Sequence, residues 1–185
     1  MHRGPRGAKS PPVRVRPARA SDLETLAQHR NRMWADIGSY SARQIRAGSA
    51  ASRRWIGREF RAGRYIAFVA ERKGTGIVGS GAVWLRPSQP YPGPRPRPET
   101  PYILSMYTRP DARGTGIATR LVRQMIRWAR RKKYRRITLH ASAQGASVYR
   151  ALGFEASNEM RLSLVRGGTR GAAVARRRPP HGPRR

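Results

Sequence analysis

The sequence predicts an α/β (α+β) protein with a mixed, mostly antiparallel central sheet of six to seven strands, flanked by about four helices. Three observations support this class: strand and helix patterns alternate along the chain, a short turn joins two central strands, and a long amphipathic helix separates two further strands. The 185 residues, 38% of them hydrophobic, suffice for one domain with its own core. We expect that domain at residues 13–166, between basic, disordered tails at 1–12 and 167–185.

The N-terminal part of this domain is predicted to contain one strand and two helices. The alternating residues of VRVRPA, at 13–18, indicate the strand. Ser21 and Glu24 have the spacing of a capping box and predict a helix that runs to about Trp34. A second helix is predicted at 52–63, where a glycine ends the helical pattern.

A β-hairpin is predicted in the middle of the chain. Residues 64–71 and 77–86 both have strand composition, and the turn RKGTG separates them at 72–76. The next segment, 87–101, contains seven prolines and can form neither a helix nor a central strand, so we expect a loop with polyproline character. The strand that follows is predicted at 102–109.

The C-terminal half is dominated by a long helix, predicted from the glycines near residue 113 to about Lys133. One of its faces is apolar at helical spacing and should pack on the sheet: Ile117, Leu121, Val122, Met125, Ile126 and Ala129. A strand at 135–141, a short helix at 143–152 and one or two strands at 153–165 complete the predicted domain.

Composition excludes several classes of chemistry and location. The chain has no cysteine, which rules out disulfides, thiolate metal sites and a cysteine nucleophile. Its four histidines are scattered without metal-ligand spacing, so we expect no metal. No stretch of the chain is apolar enough to span a membrane, and the basic N-terminus lacks the apolar run of a secretory signal. We therefore expect a cytoplasmic protein without a membrane partner.

The charge of the chain is strongly positive. Forty basic residues face nine acidic ones, for a formal net charge of +31. Such a field attracts nucleic acid and other polyanions, here through the basic tails in particular. Only four of the cations are lysines, however, and an arginine bias of this kind is equally typical of a GC-rich coding sequence. Both interpretations stay open.

The stretch RGTGIATRLV places two glycines, Gly114 and Gly116, directly before the long helix. A helix N-terminus offers unpaired N–H groups and a partial positive charge, which suit a phosphate. A plain strand-to-helix turn explains the glycines equally well. The loop lacks the lysine of nucleotide-triphosphatase loops, and Thr119 stands where a dinucleotide fingerprint needs its third glycine.

Two segments together resemble the GNAT N-acetyltransferase superfamily. Arg113, Gly116 and Ala118 fill its Arg/Gln-x-x-Gly-x-Gly/Ala signature, and SAQGASVYRALGFE at 142–155 is similar to its short C-terminal helix, in which a tyrosine precedes Leu-Gly-Phe. The resemblance covers about residues 13–165. It implies a sheet that splays between strands four and five, with acetyl-coenzyme A (acetyl-CoA) in the gap as co-substrate.

The resemblance also implies the roles of individual residues. A primary amine would attack the thioester directly, and Tyr149 would protonate the leaving thiolate. The pantetheine arm would lie along the fourth strand and the pyrophosphate on the glycine loop, while Ser142 replaces an asparagine that holds the cofactor in some relatives. The implied cofactor-binding residues are Met106, Tyr107, Thr108, Arg113, Gly114, Thr115, Gly116, Ile117, Ala118, Thr119 and Ser142.

The general base is the least defined part of this predicted site. Many relatives place a glutamate early in the fourth strand, where this chain has Tyr102. Glu99, three residues earlier, is the candidate base; a water chain that drains the proton, with Glu99 as a solvated loop residue, is the alternative. His140 ends a strand and is interpreted as structural.

Three functions follow from these patterns: an N-acetyltransferase, a family member that binds the cofactor without catalysis, and a basic nucleic-acid-binding protein. The missing glutamate favours the second, and only the charge favours the third. The amine acceptor, a small molecule or a protein amine, is not predicted, and the chain is expected to be a monomer or a homodimer.

Overall fold

A mixed five-stranded sheet forms the centre of the described chain, with its strands in the order in which they occur in the sequence. The strands are β1 (Val13–Pro17), β2 (Tyr65–Arg72), β3 (Gly76–Pro87), β4 (Glu99–Thr108) and β5 (Thr138–Leu139). The first four pair antiparallel, and β5 pairs parallel with β4. The hairpin of β2 and β3 is as predicted. This computed structural model describes residues 12–90, 92 and 96–160.

The prediction of six to seven strands exceeds the five in the described residues. The predicted segment at 153–165 forms no strand up to residue 160, and its remainder lies outside the described residues. Glycine, serine and asparagine interrupt its apolar residues before residue 159, which disfavours a strand there. The predicted tails also lie outside the described residues, apart from Pro12, as do positions 91 and 93–95 of the proline segment.

Four helices accompany the sheet, in agreement with the prediction. They are α1 (Leu23–Ile37), α2 (Ala42–Arg61), α3 (Ile117–Arg131) and α4 (Ala146–Arg150), and short 3-10 turns precede α1 and α3 at Ala20–Asp22 and Pro110–Ala112. None of the helices in the described part of the chain is long and apolar enough to cross a bilayer. Met1–Glu155 forms one compact unit; a second unit, Ala156–Arg185, has neither helix nor strand in its described residues.

The starts of the first two helices differ from the prediction. The expected capping box of Ser21 is not formed, because Ser21 lies inside the 3-10 turn and Asp22 stands at the N-cap of α1. The turn itself is stabilised by the backbone N–H of Arg19, which donates to the Asp22 carboxylate at 2.7 Å. The start of α2 lies well before the predicted residue 52. Ser41 caps it: its hydroxyl accepts from the N–H of Gln44 at 3.3 Å, and the Gln44 amide oxygen accepts from the N–H of Ser41 at 2.8 Å.

Each face of the sheet is covered by its own pair of helices. Phe68, Val83 and Ile103 pack against α3 and α4 on one face, and Ala67 and Val69 pack with α1 and α2 on the other. The predicted apolar stripe of α3 is confirmed, with its fully buried members Ile117, Leu121, Val122, Met125 and Ala129. The start of α3 presses closely on β3, because a Cβ at Gly79 would lie only 2.8 Å from Ile117 Cγ2.

A β-bulge interrupts β4 near its middle. Ser80 of β3 pairs with Tyr107, whereas Ala82 pairs with Leu104, so two residues of β4 stand opposite one residue of β3. One of the two is Ser105, whose backbone has a positive φ of 54°. Arg30 of α1 holds this position, since its Nη1 donates to the Ser105 hydroxyl at 3.1 Å. Bulges of this kind reorient the residues of a strand, often beside functional sites.

The sheet opens between β4 and β5. Pairing is limited to Tyr102 with Thr138 and Ile103 with Leu139, so β5 is much shorter than the predicted strand at 135–141. The fourth strand continues to Thr108 after β5 has ended. A gap therefore separates the second half of β4 from the chain that follows β5, as the splayed sheet of the resemblance implies.

Candidate functional site

A cavity of about 510 Å³ occupies the gap between β4 and the chain after β5. Four parts of the fold form its walls: the C-terminal turn of α1, the second half of β4, the loop and first turn of α3, and the segment between β5 and α4. The residues that line it are Met33, Asp36, Ile37, Ile103, Leu104, Ser105, Met106, Tyr107, Thr108, Ala112, Arg113, Gly114, Gly116, Ile117, Ala118, Thr119, His140, Ser142, Gln144, Gly145, Val148 and Tyr149.

Of the predicted cofactor-binding residues, all except Thr115 line this cavity. The hydroxyl of Thr115 instead donates to the carbonyl of Ala112, at 2.7 Å, and so stabilises the loop itself. Residues far apart in the sequence, such as Met106 and Ser142, thus meet at one place. Their binding of a cofactor stays a prediction.

The glycine loop leaves the N-terminus of α3 open toward the cavity. Gly114 and Gly116 both have positive φ, at 74° and 76°, a conformation that glycine adopts without strain. No side chain caps the helix at Gly116, so no side-chain acceptor occupies the N–H groups of its first turn. A phosphate could accept hydrogen bonds from these groups and be stabilised by the helix dipole.

Arg113 adds a positive charge at the rim of the cavity. Its Nη2 donates to the carboxylate of Asp36 on α1 at 2.6 Å, and its Nε donates to the carbonyl of Thr108 at 3.2 Å. The guanidinium is nearly half exposed, with 47% of its side chain accessible. Arg113 therefore connects α1, β4 and the glycine loop, and an incoming anion would meet it at the surface.

Tyr149 combines packing with a place at the cavity. Its ring meets Phe154 edge to face, with 5.8 Å between the ring centroids, and it packs against the core on the α3 side. Burial, with a smaller contribution from Tyr102, raises the pKa of the Tyr149 phenol to about 12. The hydroxyl therefore keeps its proton at neutral pH and has the chemistry of a hydrogen-bond donor and general acid.

Ser142 closes the segment that leads into α4. Its hydroxyl accepts a hydrogen bond from the N–H of Gly145 at 3.2 Å, and its carbonyl accepts from the N–H of Ala146 at 3.0 Å. These bonds fix the turn before α4 and so help to orient Tyr149 toward the cavity.

Glu99 is not among the residues that line the cavity. It begins β4, whereas the cavity runs along the later residues of that strand, from Ile103 onward. The hydroxyl of Tyr134 donates to its carboxylate at 2.8 Å, and Arg97 lies 3.9 Å from it.

Some of the lining residues were not predicted from the sequence. Met33, Asp36 and Ile37 come from α1, and nothing local in the sequence connects them to a glycine loop so far away along the chain. His140 was interpreted as structural, yet it lines the cavity and its Nδ1 is hydrogen bonded to the hydroxyl of Tyr102. Its place just after β5, at the carboxyl end of a strand next to a parallel neighbour, is a signal that could have identified it.

No cluster of three or more metal-ligating side chains occurs within the described residues. The cavity walls present backbone N–H groups, a protonated phenol, an imidazole and the ion pair of Arg113 with Asp36.

The region that contains this cavity matches a known protein family. The model of the acetyltransferase (GNAT) family matches residues 24–154, a range that includes all of the cavity's walls. No curated protein matches the chain by sequence.

Solved structures show the same fold. A GCN5-related N-acetyltransferase from Ralstonia eutropha is 24% identical, with a TM-score of 0.75 over 83% of this chain and 99% of that one. A predicted acetyltransferase from Clostridium acetobutylicum, solved with acetyl-CoA, is 26% identical, with a TM-score of 0.72 over 82% and 96%. An aminoglycoside 6′-N-acetyltransferase from Acinetobacter haemolyticus is 18% identical, with a TM-score of 0.61 over 83% and 98%.

Proposed function

The chain belongs to the GNAT acetyltransferase family, and we propose that it moves the acetyl group of acetyl-CoA to a primary amine by direct attack. The observation that carries this proposal is the cavity itself. Its walls include an uncapped helix N-terminus, the part of β4 that has no partner strand on the β5 side, and a protonated tyrosine. Acetyl-CoA needs all three: a phosphate site, a channel for its arm and a proton donor for its sulfur.

The proposed cofactor position follows the walls of the cavity. The pyrophosphate accepts hydrogen bonds from backbone N–H groups at 114–119, and Arg113 supplies a charge-assisted bond once the anion competes with Asp36. The pantetheine arm runs along residues 106–108, where β4 has lost its β5 partner. The thioester then lies toward Tyr149.

The proposed reaction needs no covalent enzyme intermediate. The amine nitrogen attacks the acetyl carbon, the new C–N bond forms, and the C–S bond breaks. The departing thiolate takes the proton of the Tyr149 hydroxyl, and the amine gives one proton to a base. Glu99 as that base stays a prediction; from its place outside the cavity it would act through intervening water.

The acceptor is an amine whose identity stays open. One structurally similar protein is an aminoglycoside 6′-N-acetyltransferase, so kanamycin is a reasonable first probe. Spermidine, a dipeptide with a free N-terminus and an Nα-blocked lysine cover the remaining amine classes. We also propose that the protein is cytoplasmic and that its active form is a monomer or a homodimer. Identifying the acceptor would test neither of these two points.

The glycine loop offers a direct test of cofactor binding. Gly116→Asp places a carboxylate at the mouth of α3, where it should repel the pyrophosphate and weaken acetyl-CoA binding at least about tenfold. Binding is measured by calorimetry and by the rise in melting temperature that acetyl-CoA produces.

A matched control separates charge from backbone strain. Gly63, at the C-terminal end of α2, also has positive φ, at 68°, and a Cβ there meets nothing within 4 Å, as at Gly116. Gly63→Asp should lower the melting temperature similarly while keeping the full acetyl-CoA shift. Equal shifts in both variants would show that the loop does not hold the cofactor.

The amine panel then distinguishes a catalyst from a family member that only binds. Release of free thiol from acetyl-CoA with any amine supports the transferase. A melting-temperature shift without thiol release from any of the four amines would favour binding without catalysis.

A further inference from the structure

We propose that His140, held in place by Tyr102, is the group that takes the proton from the attacking amine. The inference rests on the proposed acetyl transfer and adds the base that this reaction requires. His140 directly follows β5, at the point where the sheet opens, and its exposed ring lines the cavity.

A hydrogen bond fixes this imidazole relative to β4. Its Nδ1 is bonded to the hydroxyl of Tyr102, and the two rings meet edge to face with 5.5 Å between their centroids. The Tyr102 ring is itself held from its other side by Arg86 of β3, whose guanidinium carbon lies 5.1 Å from the ring centroid. An otherwise exposed histidine is thus given a defined orientation at the wall of the cavity.

The carboxylates of the described residues are poorly placed for the same task. Asp36 is the one carboxylate that lines the cavity, and the guanidinium of Arg113 holds it at 2.6 Å. Glu99 lies outside the cavity with Tyr134. Glu59 is buried beneath Arg64, which, with Trp84, holds its pKa at about 2, so it is too weak a base at neutral pH.

Imidazole has the chemistry that the step requires. A neutral imidazole accepts a proton and an imidazolium returns it to solvent, which makes histidine a common general base. In the transfer step, one N–H proton of the amine passes to Nε2 of the imidazole as the C–N bond forms, in the tautomer whose Nδ1–H donates to the Tyr102 hydroxyl. The C–S bond breaks, and the sulfur takes the proton of Tyr149. The imidazolium then releases its proton to water and the Tyr149 phenolate regains one from water, so that both side chains return to their starting states.

Several charged or titratable groups lie near this ring. Tyr102 on β4 contacts it directly, Arg86 on β3 lies over Tyr102, and the phenol of Tyr149 on α4 is close enough to Tyr102 for the two to interact. Asp36 and Arg113 line other walls of the same cavity. Tyr102 is accordingly a positioning residue, which acts on the amine only through His140.

The test is made on the full chain with the amine of the panel that gives the highest rate of thiol release. His140→Gln keeps a polar side chain without a basic nitrogen, and it should lower kcat/KM by about 10²-fold or more. Acetyl-CoA affinity should change less than twofold. After the rates are corrected for the fraction of the amine that is unprotonated, the falling acidic limb of the wild-type pH profile should disappear in this variant, and added imidazole should restore part of the rate in His140→Ala.

Tyr102→Phe tests the positioning role. It keeps the ring beneath Arg86 but loses the hydroxyl, so it should lower kcat/KM by about tenfold and displace the acidic limb, with no rescue by imidazole. Ser88→Ala is the control, because it removes a side-chain hydroxyl hydrogen bond, to Thr100 at 3.0 Å, between residues that do not line the cavity. Its rate and its pH profile should match those of the wild type.

The outcomes separate this inference from the proposed function. If no amine releases thiol with the wild-type chain, the proposed transferase activity is wrong, and the role of His140 in it is wrong as well. If the wild type is active and His140→Gln retains its rate and its acidic limb, only the assignment of His140 is overturned. Loss of activity and of the limb in Glu99→Gln alone would assign the base to Glu99 instead.

Discussion

At the scale of single residues, Tyr149 shows how one side chain can serve both the core and the cavity. Its ring is largely enclosed by Phe154 and the α3 side of the core, and that enclosure removes water from the phenol. Because desolvation disfavours the phenolate, the same packing that anchors α4 keeps the proton on the oxygen. A structural anchor and a general acid are therefore compatible readings of this residue.

Replacing Tyr149 by phenylalanine separates the two roles. Tyr149→Phe keeps the ring and most of its packing but has no proton to give, so kcat should fall at least about tenfold while the acetyl-CoA Kd moves little. Steady-state rates and a binding titration measure the two quantities. Since the wild-type pKa is about 12, no basic limb from this group should appear below pH 10. An unchanged kcat would mean that the thiolate takes its proton from water.

A second histidine, His29, is buried and uncharged. Only 3% of it is accessible, its Nδ1 is hydrogen bonded to the Ser80 hydroxyl at 2.8 Å, and its ring lies 4.7 Å from that of Tyr107. Burial, together with the charges of Arg32 and Arg109, lowers its pKa to about 4. In the unfolded chain a histidine titrates near 6.5, so that below this pH protons bind preferentially to the unfolded state.

This difference predicts an acid-dependent loss of stability. The stabilisation linked to neutral His29 is complete above pH 6.5 and is lost as the pH falls toward 4, with a loss of roughly 2 kcal/mol between pH 7 and 5. Denaturant unfolding at pH 7, 6 and 5 measures it. His29→Gln should be less stable at pH 7 but show a flatter dependence over this range. If the stability of the variant falls equally steeply with pH, groups other than His29 cause the loss. Glu59 would not be among them, because its ion pair with Arg64 keeps its pKa at about 2, well below this pH range.

At the scale of secondary-structure elements, local patterns predicted which elements form better than where they begin and end. The apolar stripe of α3 was readable because it extends over several helical turns, and the hairpin of β2 and β3 was readable because two segments of strand composition flank a glycine turn. A strand was predicted at 135–141, but only Thr138 and Leu139 form one, because the length of β5 depends on how many of its residues can pair with β4. Pairing is a tertiary property, and no local pattern encodes it.

The starts of the first two helices could not be predicted from capping residues alone. Ser41 and Gln44 form a capping box whose spacing is visible in the sequence, yet α2 has no buried residue before Ile56, so no apolar stripe marks its first half as a helix. Conversely, Ser21 had the right spacing, but it lies inside the 3-10 turn Ala20–Asp22, and Asp22 stands at the N-cap of α1.

The parts of the candidate site that lie in contiguous motifs could be predicted from the sequence, whereas the parts that depend on long-range contacts could not. The glycine loop and Tyr149 lie in contiguous motifs, so the resemblance could name them. Asp36 and His140 become part of the cavity only through long-range contacts, to Arg113 and Tyr102 respectively. Neither pair has a sequence spacing that recurs in a motif, which is why the residues proposed to complete the chemistry appeared only in the structure.

At the scale of the whole molecule, basic residues greatly outnumber acidic ones, and most of the acidic residues are paired with arginine. Within the described residues, at least seven of the nine acidic side chains form ion pairs with arginine, so the acids serve mainly to fix local structure. Forty basic residues far outnumber them, and the outer face of α3 alone exposes Arg123, Arg127 and Arg130. Binding to polyanions through this surplus should therefore be screened by salt, unlike a hydrogen-bonded cofactor in a cavity.

The predicted tails provide the test at this scale. They contain few apolar residues and many arginines and prolines, so they have little to bury and should contribute little to the fold. A chain of residues 11–167 should therefore melt within about 2 °C of the full chain and release thiol from acetyl-CoA at the same rate in 150 mM salt, a concentration that screens charges beyond roughly 8 Å. Binding of duplex DNA at low salt, measured by fluorescence anisotropy, should weaken in the shortened chain because the removed segments carry positive charge and no acid. A clear loss of acetyl-CoA affinity at 150 mM salt would instead show that a tail takes part in the cofactor site.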